Sequence, residues 1–101
     1  MALKSQLMTT LEHDLADYVR TLEQCSNSTH RAEDRPLYEA YLADAAGFLA
    51  AVALGATADE TRERFQRHER LWGTTWLIDP VSESAASKWT VIRERLNRGA
   101  I

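Results

Sequence analysis

The chain has little of what usually ends or staples a structure. It holds one cysteine, two prolines and four glycines in 101 residues. A lone Cys25 cannot close an internal disulfide, and no paired-cysteine metal knuckle exists. A reducing, cytoplasmic setting is therefore expected. So few glycines and prolines exclude a collagen-like or low-complexity chain and predict a few long elements. Long hydrophobic runs are missing too. The longest uncharged apolar stretch runs from Ala45 to Leu54, about half of the roughly 20 residues a membrane-crossing helix needs. The first residues, MALKSQLMTTLEHD, contain no apolar core of the kind a secretory signal carries. No membrane association is expected. Charge of one sign is also scarce. Twelve basic and fifteen acidic residues give a net charge of −3, which argues against nucleic acid as a partner of the whole chain. The first fifty residues carry four basic and eight acidic side chains and the rest eight and seven, a mild gradient that reads as solvated helix faces.

What is present resembles an average soluble domain, with 45% hydrophobic and 27% charged residues. A chain of this size can bury about two-thirds of its unfolded surface, enough for one core. Residues 1–101 are thus expected to form a single helical domain. Leu3, Leu7, Leu11, Leu15, Tyr18, Leu22 and Cys25 share one helical face, which predicts an amphipathic helix from about Leu3 to Cys25. Thr9 and Glu12 have capping-box spacing, which allows a later start. The polar stretch 26–33 predicts a loop. Asp34-Arg35-Pro36 opens a second helix that ends at Gly55, where a left-handed cap residue is wanted. Thr57 and Glu60 form a capping box for a third helix, which carries Phe65, Trp72 and Trp76 on one side. A fourth opens at Asp79-Pro80, carries Val81, Ala85, Trp89, Ile92 and Leu96, and stops near Gly99. Period-two alternation is absent and the links are short, so the expected fold is all-α, a four-helix up-down bundle. A three-helix core with a docked C-terminal helix is the alternative.

The second helix is apolar on two sides. Leu37, Tyr41, Ala45, Phe48, Leu49 and Val52 form a large-residue stripe, and Ala40, Ala43, Gly47, Ala50 and Leu54 form a small-residue seam opposite it. A helix without a wet face is normally buried. The seam therefore predicts either a central position within the monomer or a homodimer interface across a two-fold axis.

Candidate chemistry is sparse. His68 lies on the face defined by Thr61, Phe65, Trp72 and Trp76, with Glu69 on its flank. His68, Glu69, Trp72 and Trp76 are the candidate walls of a small-ligand or cofactor pocket. The competing reading is a core-edge histidine whose ring nitrogens meet a backbone carbonyl or a tyrosine hydroxyl, beside tryptophans that fill the bundle. The chain has no Glu-x-x-His element, no His-Glu-x-x-His motif and no glycine-rich phosphate loop, so no metal, cofactor or catalytic residue is assigned. His13 and Asp17 stand four apart on the polar face and read as a solvated pair, and Cys25 reads as inert core. Glu60–Arg64, Glu63–Arg67 and Glu94–Arg98 are spaced as exposed ion pairs, which further disfavours DNA binding. Gly47 and Gly73 are not explained by helix ends and suggest close approach of backbones. The expectation is a non-enzymatic helical protein acting through protein–protein contacts, as a regulator, adaptor or accessory factor that self-associates through the second helix. The alternative is a small-ligand-binding bundle with its pocket near His68.

Overall fold

A computed structural model describes residues 6–29, 32–74 and 82–98. They form four α-helices with no strand among them: α1 (Gln6–Ser28), α2 (Arg35–Ala53), α3 (Ala58–Thr74) and α4 (Ser82–Asn97). A single 3-10 turn, Ala32–Asp34, leads into α2. Neighbouring helices run antiparallel. Asp14 meets Arg95, Asp17 meets Lys88 and Cys25 meets Ser84, which sets α1 against α4. Tyr41 meets Leu71 and Asp44 meets Arg67, which sets α2 against α3. The chain is an all-α bundle with α1 packed between α2 and α4 and with α3 on α2. The helix that reads as docked is α3, because α4 supplies Ala85, Trp89 and Ile92 to the core. None of the helices is long and apolar enough to cross a membrane, among the described residues.

Local chemistry explains the ends. Thr57 and Glu60 form a reciprocal capping box: the Thr57 N–H donates to Glu60 Oε1 at 2.9 Å, and the Glu60 N–H donates to Thr57 Oγ1 at 3.1 Å. At the end of α2, Gly55 has φ +91°. Its N–H bonds the Val52 carbonyl and the Ala56 N–H bonds the Ala51 carbonyl, each at 3.0 Å. This pair of bonds is the Schellman motif, and it satisfies two carbonyls that the helix leaves open. Pro36 lies in the first turn of α2, while Asp34 makes no side-chain cap bond.

The loop expected at 26–33 is shorter than its polarity implied, because α1 continues to Ser28. Ser26 and Thr29 are buried. The Thr29 N–H bonds the Cys25 carbonyl at 3.0 Å, and Arg35 Nε donates to the Ser26 carbonyl at 3.4 Å. Those partners make a polar helix end affordable. The first-turn leucine Leu3, Trp76, the Asp79-Pro80 start and the Gly99 stop lie outside the described residues.

The core is built from three helices. From α1 come Leu11, Leu15, Tyr18, Leu22 and Cys25, and from α2 come Tyr38, Tyr41, Ala45, Phe48 and Val52, all essentially without exposure. Among its described residues α3 adds no fully buried apolar side chain. Its buried residues are Thr61 and His68, with Phe65, Leu71 and Trp72 half-buried beside the core. Each missing leucine-sized burial is worth about 1.5–3 kcal/mol, so α3 is held largely by other means.

The small-residue seam of α2 does not pass through the middle of the monomer. Ala40, Ala43, Ala50 and Leu54 are exposed. The buried stripe is Tyr38, Tyr41, Ala45, Phe48 and Val52, so the large-residue stripe is buried in its main part, with Leu37 and Leu49 half-buried and Tyr38 added. Alanine exposes little area and is the strongest helix former, so a face made of it can stay in water. Gly47 is half-buried under the Arg64 guanidinium, whose Nη1 would lie 3.1 Å from an added Cβ. Around Gly73 an added Cβ would meet nothing within 4 Å. Neither glycine marks a close approach of two backbones. Gly73→Ala is therefore expected to raise the unfolding free energy by about 0.5–1 kcal/mol. Gly55→Ala, forced into the left-handed region, is expected to lower it by roughly 1–2 kcal/mol. Urea midpoints of the two variants at neutral pH check both signs.

Candidate functional site

The functional candidates of α3 converge on one buried polar cluster. His68 has no exposed surface and uses both ring nitrogens. Its Nε2 lies 2.6 Å from the Tyr18 hydroxyl on α1, and its Nδ1 lies 2.9 Å from Asp44 Oδ2 on α2. The indole Nε1 of Trp72 donates to the same Tyr18 oxygen at 2.9 Å. Indole nitrogen is a donor only. Tyr18 must therefore accept from Trp72 and give its own proton to His68 Nε2. That nitrogen then carries no proton, so Nδ1 carries it and donates to Asp44. The proton order Trp72 to Tyr18 to His68 to Asp44 follows from the donor inventory, and the imidazole is neutral.

Electrostatics agrees with that order. Burial pulls the His68 pKa below its usual value, and the Asp44 and Glu69 carboxylates oppose the shift only in part. Burial likewise pushes the Tyr18 phenol far above its usual value, so it stays protonated. The ring is walled by aromatics, with Trp89 at 4.6 Å, Tyr18 at 5.4 Å and Tyr41 at 5.7 Å between centroids. Asp44 turns its second oxygen outward to Arg67 Nε at 2.9 Å. One carboxylate thus ties the interior histidine to a surface arginine.

Three further contacts complete the attachment of α3. The Tyr41 hydroxyl donates to the Leu71 carbonyl at 2.9 Å. Phe65 stacks on Trp89 at 5.2 Å. Glu69 accepts from Trp89 Nε1 at 2.6 Å and takes both ends of the Arg93 guanidinium at 3.0 and 3.1 Å. Glu69 was read from the sequence as a flank of His68, but its carboxylate is committed to α4.

Of the four sequence-predicted pocket residues, His68, Glu69 and Trp72 are brought together and Trp76 lies outside the described residues. They meet as hydrogen-bonded packing. Two clefts among the described residues lie elsewhere on the surface. One of about 210 Å³ is bounded by Ala58, Phe65 and Leu96 where α3 meets α4. A second of about 620 Å³ follows the outer edge between α2 and α3. The Tyr–His–Asp arrangement has the parts of a proton relay, and its hydroxyl is buried and hydrogen-bonded to Trp72. Among the described residues no group of three or more histidine, cysteine or acidic side chains could hold a metal. Cys25 is buried within 3.6 Å of the Ser84 hydroxyl.

The sequence reading anticipated a tyrosine hydroxyl on His68 without saying which, and it missed Asp44 as the second partner and Tyr41 as a neighbour of the ring. Asp44 had a visible signal, as one of only two acids in an otherwise apolar helix. The expected ion pairs along α3 are also rearranged. Arg67 reaches Asp44 on α2, Arg64 lies over Gly47, and Glu60 turns one oxygen, Oε1, to the cap. Only Glu94 and Arg98, on α4, meet as spaced, at 3.9 Å. Asp17 pairs with Lys88 at 2.6 Å, and that bond holds its carboxyl below the usual value. No family model, no curated protein and no solved structure matches the chain.

The cluster makes the fold acid-sensitive, with a definite sign. The groups facing His68 are Tyr18 from α1, Tyr41 and Asp44 from α2, Glu69 and Trp72 from α3 and Trp89 from α4. The unfolded imidazole takes a proton near pH 6.5 and the folded one does so only at lower pH. Between those two values the unfolded state binds more protons, so stability falls as pH drops. Above about pH 6.5 the contribution is complete and flat. The Asp17–Lys88 pair loses its share only below the ordinary carboxylate value of 3.8, which separates the two windows. Urea midpoints taken between about pH 8 and pH 4.5 are expected to decline below about pH 6.5 in the wild type. His68→Gln is expected to lose that decline and to cost about 1–3 kcal/mol at neutral pH, because buried partners are left unsatisfied.

Proposed function

We propose that the protein is a non-enzymatic interaction module, a small helical bundle that works through contact with protein and presents the outer face of α2 as its contact surface. The observation that carries this reading is Leu54, which is 89% exposed at the end of α2. From Pro36 to Leu54 the exposed positions of this helix are Pro36, Glu39, five alanines and Leu54. Glu39 is the only charge on nearly five turns of solvent-facing helix. Solvated helix faces usually carry several charges, and an exposed apolar strip on a small domain marks a place where water is displaced by a partner. The interior supports the same reading, because Tyr18, Tyr41, Asp44 and His68 are engaged in holding α3. A single buried cysteine, Cys25, fits a reducing, cytoplasmic setting.

The test is affinity purification from the native cell with the wild type and with Leu54→Glu. The substitution lies at a solvated helix end, so the melting temperature is expected to change by no more than a few degrees. Recovered partners are expected to fall at least tenfold. Retention of the full set of partners by Leu54→Glu would sink the reading.

A further inference from the structure

We infer that the partner of this surface is a second copy of the same chain, docked antiparallel across a two-fold axis that passes beside Gly47. The inference rests on the contact-surface reading of α2 and adds to it the identity and orientation of the partner.

The charges that border the face are divided by sign. The 620 Å³ groove alongside α2 is lined by Ala51 and Leu54 on one wall and by Glu60, Glu63, Arg64, Arg67 and Arg70 on the other. Along α3 this row is acidic in its first half and basic in its second. It is not a surface for a polyanion, since the two glutamates would repel a phosphate backbone. A row with this polarity complements itself when reversed.

The register between the helices decides whether the reversal fits. Tyr41 lies beside Leu71, Asp44 beside Arg67 and His68, and Gly47 beside Arg64. The level of Gly47 on α2 thus corresponds to residues 64 and 65 on α3. A two-fold axis at that level, perpendicular to both helices, exchanges position 40 with 54 and 43 with 51 on α2. The same axis exchanges 60 with 70 and 63 with 67 on α3. Leu54 of one copy then meets Ala40 of the other, the largest exposed side chain of the face against one of the smallest. Glu60 meets Arg70 of the second copy, and Glu63 meets Arg67. Because the axis is two-fold, each pairing occurs twice. A two-fold of this kind keeps α3 on the same side of the interface in both copies, so both charged rows lie together. The seam and the charged row are separate features of sequence, on separate helices, and one axis makes both self-complementary.

Two details fit the arrangement. Arg67 spends Nε on Asp44 while its side chain remains 65% exposed, which leaves its outer nitrogens for Glu63 of the second copy. Arg64 lies at the axis, where two guanidinium groups approach one another between the two Glu63 carboxylates. That approach opposes association, so Arg64→Gln is expected to tighten the dimer several-fold.

Charge exchange tests the orientation. Arg70→Glu places two acids opposite each other in its own homodimer, and Glu60→Arg places two bases opposite each other in its own. A mixture restores both pairings. Sedimentation equilibrium of the wild type is expected to show a reversible dimer of the 11.4 kDa chain. Each single variant is expected to weaken the dimer at least tenfold, and the equimolar mixture to recover it as a heterodimer. Circular dichroism checks the fold, since Glu60→Arg removes half of the capping box. Should that variant unfold, Arg70→Glu is compared with Arg70→Gln, and charge reversal is expected to dissociate the dimer much further than neutralisation. A wild type that stays at the mass of one chain up to about 1 mM, the weak end of specific association, overturns the inference. A wild-type dimer that the variants leave unchanged, or that their mixture fails to restore, overturns it as well. Neither result touches the contact-surface reading, which stands or falls with Leu54→Glu.

Discussion

The attachment of α3 to the other helices depends on a buried hydrogen-bonded chain rather than on buried hydrocarbon. Among the described residues three helices supply the fully buried apolar side chains, and α3 instead supplies His68. An imidazole in that position has lost its water, and each ring nitrogen left unmatched would cost about 1–3 kcal/mol. The cost is avoided because Tyr18 and Asp44 arrive from two different helices at 2.6 and 2.9 Å. The requirement is stringent. A leucine at this position would tolerate small sliding of α3, but hydrogen bonds with these lengths do not. The register of α3 against α1 and α2 is therefore set by polar geometry, with the stacking of Phe65 on Trp89 and the Tyr41–Leu71 bond in support.

That register reaches the surface through Asp44. One oxygen holds His68 inside the bundle and the other holds Arg67 outside it. The same carboxylate that neutralises the cost of burying the imidazole thus fixes the height of the α3 charges beside α2. The outer groove inherits its pattern from the interior. Protonation of His68 would put hydrogen on both ring nitrogens, and the Tyr18 oxygen would then face donors from Trp72 and His68 with its own proton unplaced. The interior and the groove are linked in that way: what loosens the first blurs the register of the second.

Much of the fold is legible in the sequence because its signals are local. The Thr57–Glu60 box, the left-handed Gly55 and the one-sided leucines of α1 each act within a turn or two, and each does in the structure what its spacing implies. The candidate site is legible only in part. His68 was visible as a polar residue on an apolar face, but its partners lie 50 and 24 residues away, and helical periodicity carries no information across that distance. The same limit explains the arginines of α3. Spacing of four predicts pairing along one helix, whereas a buried-edge carboxylate on the next helix offered Arg67 a less solvated partner. The stretch 26–28 misled for a related reason, since its polar side chains suggested a loop while tertiary partners were available to keep it helical.

The outward position of the α2 seam corrects a common inference about apolar helices. A helix without a wet face is expected to be buried because exposing its side chains is costly, but that cost scales with area. Alanine has almost none to expose and stabilises the helix through its backbone preference. The alanines alone are thus indifferent to whether a partner covers them, and the small-residue spacing cannot by itself say that one does. The decision passes to the residues for which exposure has consequences. Leu54 is one, as a large apolar side chain in water. The divided charge row of α3 is the other, since its acidic and basic halves lie along a single groove. Their common relation to one level of the bundle, at Gly47, gives the surface a direction that its composition lacks.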